Sequence, residues 1–297
     1  MARAPVGPVE LEYEVIGSGR PILMIMGLGA QMIFWDDPFC QLLVERGFQV
    51  IRYDNRDVGL STRLDHLKVP PILPTLARGF LRLPVAPPYT LSDMARDAVG
   101  LLDHLGVDRA DVVGASMGGM IAQTLAIEHS RRVRTLTSIM STPGSRWFLP
   151  RPGALRAILQ PKPLTAEQCA DTIVRTWRGI AGDYPLDEQR LRALGRRAFE
   201  RGLSGRGFLR HIAAIATQRD RTEALRQLDV PTLVVHGRSD PLIPVAAGRA
   251  TARAVPGALL LELPRMGHDL PPQVWPRVVD AIAALASHAD VPRRSVA

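Results

Sequence analysis

Runs of mostly apolar residues recur along residues 1–142 and 229–297, and short segments rich in glycine, proline and polar residues separate them. Such short runs are typical of strands that are buried on both faces of a parallel sheet. The predicted strands are Pro21–Met26, Phe48–Tyr53, Ala110–Ala115, Val133–Ser141, Val230–His236 and Ala258–Leu263. Amphipathic segments between them predict helices over Phe39–Gly47, Leu91–Leu105, Val245–Ala254 and Pro272–Ala286. Together they predict an α/β fold with a mostly parallel central sheet flanked by helices.

One segment, Val9–Ile16, alternates between apolar and polar residues. This pattern is typical of a strand that has one face in contact with solvent. Gly17-Ser18-Gly19 follows it directly and predicts a hairpin turn at this point.

Residues 145–228 lose the strand pattern. Amphipathic helices are predicted there over Ala166–Arg178, Asp187–Arg201 and Arg206–Thr217. A helical segment between two predicted core strands indicates an inserted cap. We therefore predict a core made of residues 1–142 and 229–297, with a helical cap over residues 143–228.

The strand Ala110–Ala115 leads into Gly114-Ala115-Ser116-Met117-Gly118, which has the G-x-S-x-G pattern of a nucleophile elbow. A sharp turn from strand to helix holds such a serine in a strained conformation, and side chains at the two glycine positions would crowd it. The serine hydroxyl then stands at the carboxyl end of the sheet. Ser116 is therefore the predicted nucleophile.

A serine hydroxyl needs a base that takes its proton and an acid that orients the base. Asp240 and His268 each lie in a loop just after a predicted strand. Because parallel strands present their carboxyl ends at one edge of the sheet, these loops are expected to meet near Ser116. The chain order Ser116, Asp240, His268 differs from the order in the chymotrypsin and subtilisin folds.

The other acids and histidines are expected to have structural roles or to be solvated. His236 is predicted to pack beside the site, and Asp269 cannot easily fold back on His268. Asp54, Arg56 and Asp57 are expected to pair with one another and to satisfy loop backbone. The remaining side chains considered are Asp97, Asp103, His66, His104, His129, His211 and His288. The proline-rich segment 64–90 is predicted to be irregular, and the polar tail 290–297 to be frayed.

The glycine-rich turn from Met26 to Ala30 follows the first core strand. Glycine lets the backbone approach a substrate closely, so this turn is expected to complete an oxyanion hole. The predicted donors are the N–H groups of Leu28 and Met117. Residues predicted to contact the substrate are Gly27, Trp35 and Trp177, with Phe34, Trp147 and Phe148 as further candidates for an apolar wall.

The net charge of +8 comes almost entirely from arginine, since lysine occurs only at Lys68 and Lys162. No recognised nucleic-acid module and no interleaving of aromatic residues with arginine is seen, so nucleic acid is not an expected partner. The apolar run from Pro21 to Trp35 is too short and too interrupted to span a membrane. Cys40 and Cys169 form neither a metal motif nor a disulfide framework. With no signal-peptide pattern, these features favour a cytoplasmic protein without a bound metal.

On these motifs the chain resembles the α/β-hydrolase superfamily over essentially its whole length. The motifs that carry the resemblance are Met26–Gly29, Arg56–Ser61, Gly114–Gly119, Gly237–Asp240 and Gly267-His268. Within that superfamily, Arg52–Ser61 and Val113–Gly118 are similar to the aclacinomycin methylesterase-like group. One departure is visible, because the common His-Gly oxyanion motif is Met26-Gly27 here. Since the donor is a backbone N–H, the chemistry should survive with different hydrogen bonding in the loop.

The resemblance implies hydrolysis of a carboxylic ester without a cofactor. We predict a serine ester hydrolase that acts on small to medium, largely apolar esters through an acyl-enzyme. The same triad could instead hydrolyse a lactone, a thioester or a carbon–carbon bond, or act as a perhydrolase. A member that binds ligands without turning them over is a further alternative. The residues do not indicate the oligomeric state.

Overall fold

The computed structural model describes residues 2–289, which contain one central sheet of eight strands. In chain order the strands are β1 (Ala2–Val6), β2 (Val9–Ile16), β3 (Arg20–Ile25), β4 (Phe48–Tyr53), β5 (Ala110–Ala115), β6 (Val133–Ile139), β7 (Thr232–Gly237) and β8 (Leu259–Leu263). They lie side by side in the order β1-β2-β4-β3-β5-β6-β7-β8. β2 is antiparallel to both of its neighbours, β1 and β4. All other neighbouring strands are parallel to each other. The predicted mostly parallel sheet is therefore confirmed.

The hairpin predicted after Ile16 is wrong. β2 forms its hairpin with β1, where Val6 lies opposite Val9, and its other edge pairs with β4. β3, the next strand along the chain, lies two places away between β4 and β5. The reason is burial: β3 is apolar on both faces and suits an interior position, whereas the alternating β2 suits a place near the edge.

Helices cover both faces of the sheet. In chain order the α-helices of the described residues are α1 (Asp37–Glu45), α2 (Ile72–Phe80), α3 (Leu91–His104), α4 (Met117–Glu128), α5 (Pro152–Ile158), α6 (Ala166–Ile180), α7 (Glu188–Arg201), α8 (Gly205–Ala216), α9 (Thr222–Arg226), α10 (Val245–Ala254) and α11 (Trp275–Ala289). On one face α1 and α11 pack around Ile22 and Met24 of β3. On the other face α3, α4 and α10 pack around Leu23 and Ile25. This alternation follows from the two-residue period of a strand.

Between β6 and β7, a stretch that lies wholly within the described residues, the chain forms five helices, α5 to α9, and no strand. Three of them begin at a capping side chain: Thr165, Asp187 and Ser204 each accept a hydrogen bond from the backbone N–H three residues later. Such caps satisfy N–H groups that have no partner inside the helix. Helices are thus present where the cap is predicted, while the limits 143–228 of a separate cap remain a prediction.

Buried ion pairs join these inserted helices to the loop that follows β4. Arg201 at the end of α7 donates a hydrogen bond of 2.6 Å to Asp54. Arg210 of α8 is fully buried and donates two hydrogen bonds, of 2.6 and 2.7 Å, to Asp57. Since both pairs are shielded from water, removal of one partner would leave a buried charge without its counter-ion, which is strongly destabilising.

The prediction that the charged residues of this loop pair with one another is wrong. The partners of Asp54, Arg56 and Asp57 are Arg201, Asp97 and Arg210, respectively. Helices α3, α7 and α8 each bring an opposite charge to one of these side chains, so the pairs form between the loop and the helices. The predicted structural role holds, but each partner lies on a helix distant in the chain.

The segment 64–90 is not irregular throughout, because it contains α2. Pro74 lies in the first turn of this helix, where backbone N–H groups lack partners inside the helix, so proline is tolerated there. Over residues 2–289 no helix has both the length and the apolar character that a membrane crossing needs. The tail 290–297, predicted to be frayed, lies outside the described residues.

Candidate active site

Ser116 lies at the sharp turn between β5 and α4, with φ +56° and ψ −119°. This conformation costs a residue other than glycine about 1–3 kcal/mol. The flanking glycines make the turn possible. A Cβ atom on Gly114 would lie 2.1 Å from the Gly118 carbonyl oxygen, and one on Gly118 would lie 2.0 Å from the Ile25 oxygen. The two glycines of the G-x-S-x-G pattern are therefore steric requirements of the elbow.

The structure brings the three residues of the predicted triad into one line of hydrogen bonds. His268 Nε2 lies 2.9 Å from Ser116 Oγ, and His268 Nδ1 lies 2.8 Å from Asp240 Oδ2. Because an ionised carboxylate only accepts hydrogen bonds, Nδ1 carries the imidazole proton. The lone pair of Nε2 then faces the serine hydroxyl, which is the arrangement that general-base catalysis requires.

The carboxylate of Asp240 is buried, and both of its oxygen atoms accept hydrogen bonds. Burial acts to raise the pKa of Asp240, but the charges and hydrogen bonds of His268 and His236 outweigh it and hold the pKa well below its usual range. Asp240 Oδ1 also accepts backbone N–H groups from Leu242 and Ile243, each at 2.8 Å. Asp240 is therefore ionised at neutral pH and fixed in position beside the imidazole.

Two neighbours of this group have supporting positions. His236 is buried, with Nε2 2.9 Å from the Ile243 carbonyl oxygen and 3.5 Å from Asp240 Oδ2. Asp269 does not contact the imidazole of His268 through a hydrogen bond; its Oδ1 accepts the N–H of Gly267 at 2.9 Å. Burial raises the pKa of Asp269. The structure thus places His236 and Asp269 beside the line of hydrogen bonds rather than in it.

The glycine-rich turn after β3 lies against Ser116. A Cβ atom on Gly27 would come within 3.1 Å of the Ser116 Cβ atom. In the described part of the chain, the N–H groups of Leu28 and Met117 have no backbone acceptor. Both are therefore available to an oxygen atom of a molecule bound at Ser116.

Two side chains that the sequence analysis did not assign to the site hold this turn. Asn55 Nδ2 donates to the Met26 carbonyl oxygen at 3.0 Å, and His211 Nδ1 accepts the Gly29 N–H at 3.3 Å. His211 Nε2 lies 2.9 Å from the Arg56 carbonyl oxygen, so Nε2 carries the proton. These bonds give the Met26-Gly27 turn the different hydrogen bonding that the sequence departure implies. No local motif identifies either side chain, because the partners are distant in the chain.

Lowering the pH from 6.5 towards about 4 is expected to destabilise the protein through His211. Burial lowers the pKa of His211 from 6.5 to about 4. Over that interval the unfolded chain binds a proton at His211 while the folded chain does not, so stability is present above pH 6.5 and is lost as the pH falls. We expect a loss of about 2 kcal/mol at this residue by about pH 5. Urea unfolding at about pH 7 and about pH 5 measures it.

His211→Gln retains a donor and an acceptor but has no titrating ring. The wild type should therefore lose about 2 kcal/mol more than this variant between about pH 7 and pH 5. His66→Gln, on an exposed loop residue, is the matched control and should follow the wild type. Equal losses in the wild type and in His211→Gln would contradict the prediction.

A large cavity of about 1310 Å³ opens above Ser116 and His268. Its wall includes the predicted contact residues Gly27, Trp35 and Trp177. Phe34 stacks on Trp177 with ring centres 5.6 Å apart, and Phe34 and Phe148 also line the cavity. Trp147 corrects the prediction: it is 70% exposed and lies outside the lining residues. Of the histidines in the described residues, His268 alone lines this cavity.

The amino-acid sequence matches the α/β-hydrolase fold family over residues 20–194 and the family of TAP-like proteins over residues 213–296. It is similar to rhodomycin D methylesterase DnrP of Streptomyces peucetius, with 30% identity over 89% of this chain and 90% of that protein. It is also similar to 2-hydroxymuconate semialdehyde hydrolase of Pseudomonas putida, with 30% identity over 65% of this chain and 68% of that protein.

A solved structure shows the same architecture. The enol-lactonase from Burkholderia xenovorans LB400 has a TM-score of 0.72 and 24% identity, covering 96% of this chain and all of that chain. The shared fold agrees with the family match, which spans more than half of the sequence. The chain therefore belongs to the α/β-hydrolase fold family.

Proposed function

We propose that the protein is a carboxylic ester hydrolase with a catalytic triad of Ser116, His268 and Asp240. The observation that carries the proposal is the unbroken line of hydrogen bonds from Asp240 through His268 to Ser116 beneath the cavity. The similarity to a protein named as a methylesterase supports an ester as the substrate.

In the acylation half of the reaction, His268 Nε2 takes the proton of Ser116 as Oγ attacks the ester carbonyl carbon. The carbonyl oxygen becomes an oxyanion, for which Leu28 N–H and Met117 N–H are the proposed donors. Each such donor is typically worth about 3 kcal/mol in the transition state. Ionised Asp240 stabilises the imidazolium that forms, and His268 then gives its proton to the leaving alcohol.

In the deacylation half, His268 takes a proton from a water molecule, which attacks the acyl-enzyme. The second oxyanion collapses, Ser116 Oγ leaves, and His268 returns the proton to it. The carboxylic acid is released and the enzyme returns to its starting protonation state. No cofactor takes part in this proposed cycle.

The substrates are proposed to be small to medium, largely apolar esters, because apolar side chains such as Phe34 and Phe148 line the cavity. Its volume of about 1310 Å³ sets only an upper limit on substrate size, since about 300–1,000 Å³ is usual for small-molecule sites. Gly27 allows the ester to approach the turn, and Trp35 and Trp177 are proposed to contact its apolar parts. The alternatives on the same triad are hydrolysis of a lactone, a thioester or a carbon–carbon bond, and perhydrolysis.

A series of p-nitrophenyl esters, from acetate to palmitate, tests the proposal directly. We expect the wild type to release p-nitrophenolate from several members of the series, with kcat/KM rising and then falling as the acyl chain fills the cavity. Lactone, thioester and carbon–carbon substrates are assayed in parallel. Turnover confined to one of those classes would replace the ester assignment, and turnover of none would contradict it.

A further inference from the structure

Large apolar side chains are exposed mainly in two segments of the chain. Of the fourteen exposed large hydrophobic residues in the described part, ten fall within residues 71–84 and 146–164. These ten are Leu73, Leu76, Phe80, Leu81, Leu83, Trp147, Leu149, Leu155, Leu159 and Leu164. Such a concentration, unlike apolar residues scattered singly, marks an interaction surface. We call residues 71–84 and 146–164 together the mouth surface.

The two segments meet beside the candidate active site. The rings of Phe80 and Trp147 pack edge to face with centres 6.4 Å apart. Arg146 lies over both rings and donates a hydrogen bond of 3.2 Å to the Phe80 carbonyl oxygen. Leu76 and Leu149, one from each segment, line the cavity that contains Ser116. The mouth surface is therefore continuous with the cavity wall.

The charge on and around the mouth surface is uniformly positive. Residues 66–92 and 143–166 contain no aspartate or glutamate. Their basic residues are Lys68, Arg78, Arg82, Arg146, Arg151, Arg156 and Lys162. These seven cations nearly equal the net charge of +8 of the whole chain. They include both lysines of a protein that otherwise uses arginine.

We propose that the mouth surface docks on an anionic phospholipid membrane and that the cavity takes lipophilic esters from it. Exposed leucine and aromatic side chains interspersed with cations match the boundary between acyl chains and anionic headgroups. A second copy would bring like charges face to face. A protein partner seated there would cover the mouth of the cavity, whereas a membrane could supply substrate through it. The docking stands independently, and only the delivery of an ester rests on the proposed function.

Vesicle sedimentation measures the docking without any need for turnover. The wild type is mixed with vesicles of equal parts phosphatidylcholine and phosphatidylglycerol, or with phosphatidylcholine alone. We expect strong binding to the mixed vesicles, weak binding to the neutral ones, and release at high salt. Ser116→Ala should bind as the wild type does.

Two sets of variants locate the surface. Leu73→Ser with Leu81→Ser removes exposed leucines that do not line the cavity, and Arg151→Gln, Arg156→Gln and Lys162→Gln together remove three exposed cations. Each set should weaken vesicle binding by about tenfold or more, since one cation contributes roughly fivefold. The matched controls lie outside the mouth surface: Leu259→Ser with Leu260→Ser, and Arg131→Gln with Arg253→Gln and Arg277→Gln. The controls should bind as the wild type does.

The results of these experiments distinguish a membrane from the other possible occupants of the mouth surface. Binding to neither vesicle, or equal losses in the mouth and control variants, would overturn the proposal. So would self-association that only the mouth variants abolish, because it would assign the surface to a second copy. Vesicle binding with no hydrolysis of any ester would leave the membrane surface standing and would remove the proposed function. Turnover of soluble p-nitrophenyl acetate should equal that of the wild type in the mouth-surface variants and in their matched leucine and arginine controls.

Discussion

Replacing Ser116 with alanine is expected to lower kcat/KM for p-nitrophenyl acetate by about 10⁴-fold or more. Ser116 Oγ lies 2.9 Å from His268 Nε2, to which its hydroxyl donates a hydrogen bond. In the proposed mechanism no acyl-enzyme forms without this hydroxyl, so only the proposed oxyanion donors and substrate binding would remain to accelerate direct attack by water. The fold should be retained, because alanine occupies the same turn between Gly114 and Gly118. Circular dichroism checks the fold, and initial rates check the loss.

Ser141→Ala is the matched control for this variant. Ser141 Oγ donates a hydrogen bond of 2.8 Å to the Ser116 carbonyl oxygen, so it supports the elbow without reaching the reacting atoms. Its loss should cost less than about tenfold, in line with one neutral hydrogen bond. If Ser116→Ala kept more than a small fraction of the wild-type rate, the assignment of the nucleophile would be wrong. Losses of equal size in the two variants would point to a damaged elbow instead.

Replacing Arg210 with methionine is expected to reduce the free energy of unfolding by about 3–5 kcal/mol. Arg210 is fully buried and donates two hydrogen bonds to Asp57, which is also buried. Burial acts to raise the pKa of Asp57, but hydrogen bonds from Arg210 and Tyr89 outweigh it and keep the pKa low. Methionine fills similar volume and leaves the carboxylate without its cation. Urea unfolding followed by tryptophan fluorescence measures the loss.

Arg206→Met is the control on the same helix. Arg206 lies on the exposed side and makes one hydrogen bond of 3.3 Å, to the Leu67 carbonyl oxygen. Its replacement should change the free energy of unfolding by less than about 1 kcal/mol. Losses of the same size in both variants would show that the buried pair does not carry the stability assigned to it.

The sequence predicts the sheet and the positions of the candidate site well, for a physical reason. Parallel strands buried on both faces must be short and apolar, so their ends are visible in the residue pattern. Ser116 and Asp240 follow such strands, β5 and β7, and His268 follows the apolar but partly exposed edge strand β8. The three strands are parallel, so their carboxyl ends share one edge of the sheet. Local steric rules also explain the glycines of the elbow without any knowledge of the rest of the fold.

The parts that the sequence could not predict depend on contacts between distant residues. Arg201, the partner of Asp54, lies 147 residues later in the chain, and Arg210, the partner of Asp57, lies 153 residues later. His211 accepts the Gly29 N–H across a still larger separation of 182 residues. Nothing in the local pattern distinguishes these residues from a solvated arginine or histidine. The sequence also does not predict the exposure of Trp147, because an aromatic residue alone does not indicate which side of a cavity wall it faces.

Labelling with diisopropyl fluorophosphate tests the central claim, that Ser116 is an activated nucleophile, most directly. The serine oxygen attacks phosphorus and fluoride leaves, so each labelled chain gains one diisopropylphosphoryl group. Intact-mass measurement should show a single adduct, peptide mapping should place it on Ser116, and esterase activity should fall in proportion to labelling. Ser116→Ala should take no label. A wild type that stays unlabelled, or that carries its adduct elsewhere while activity is lost, would contradict the account.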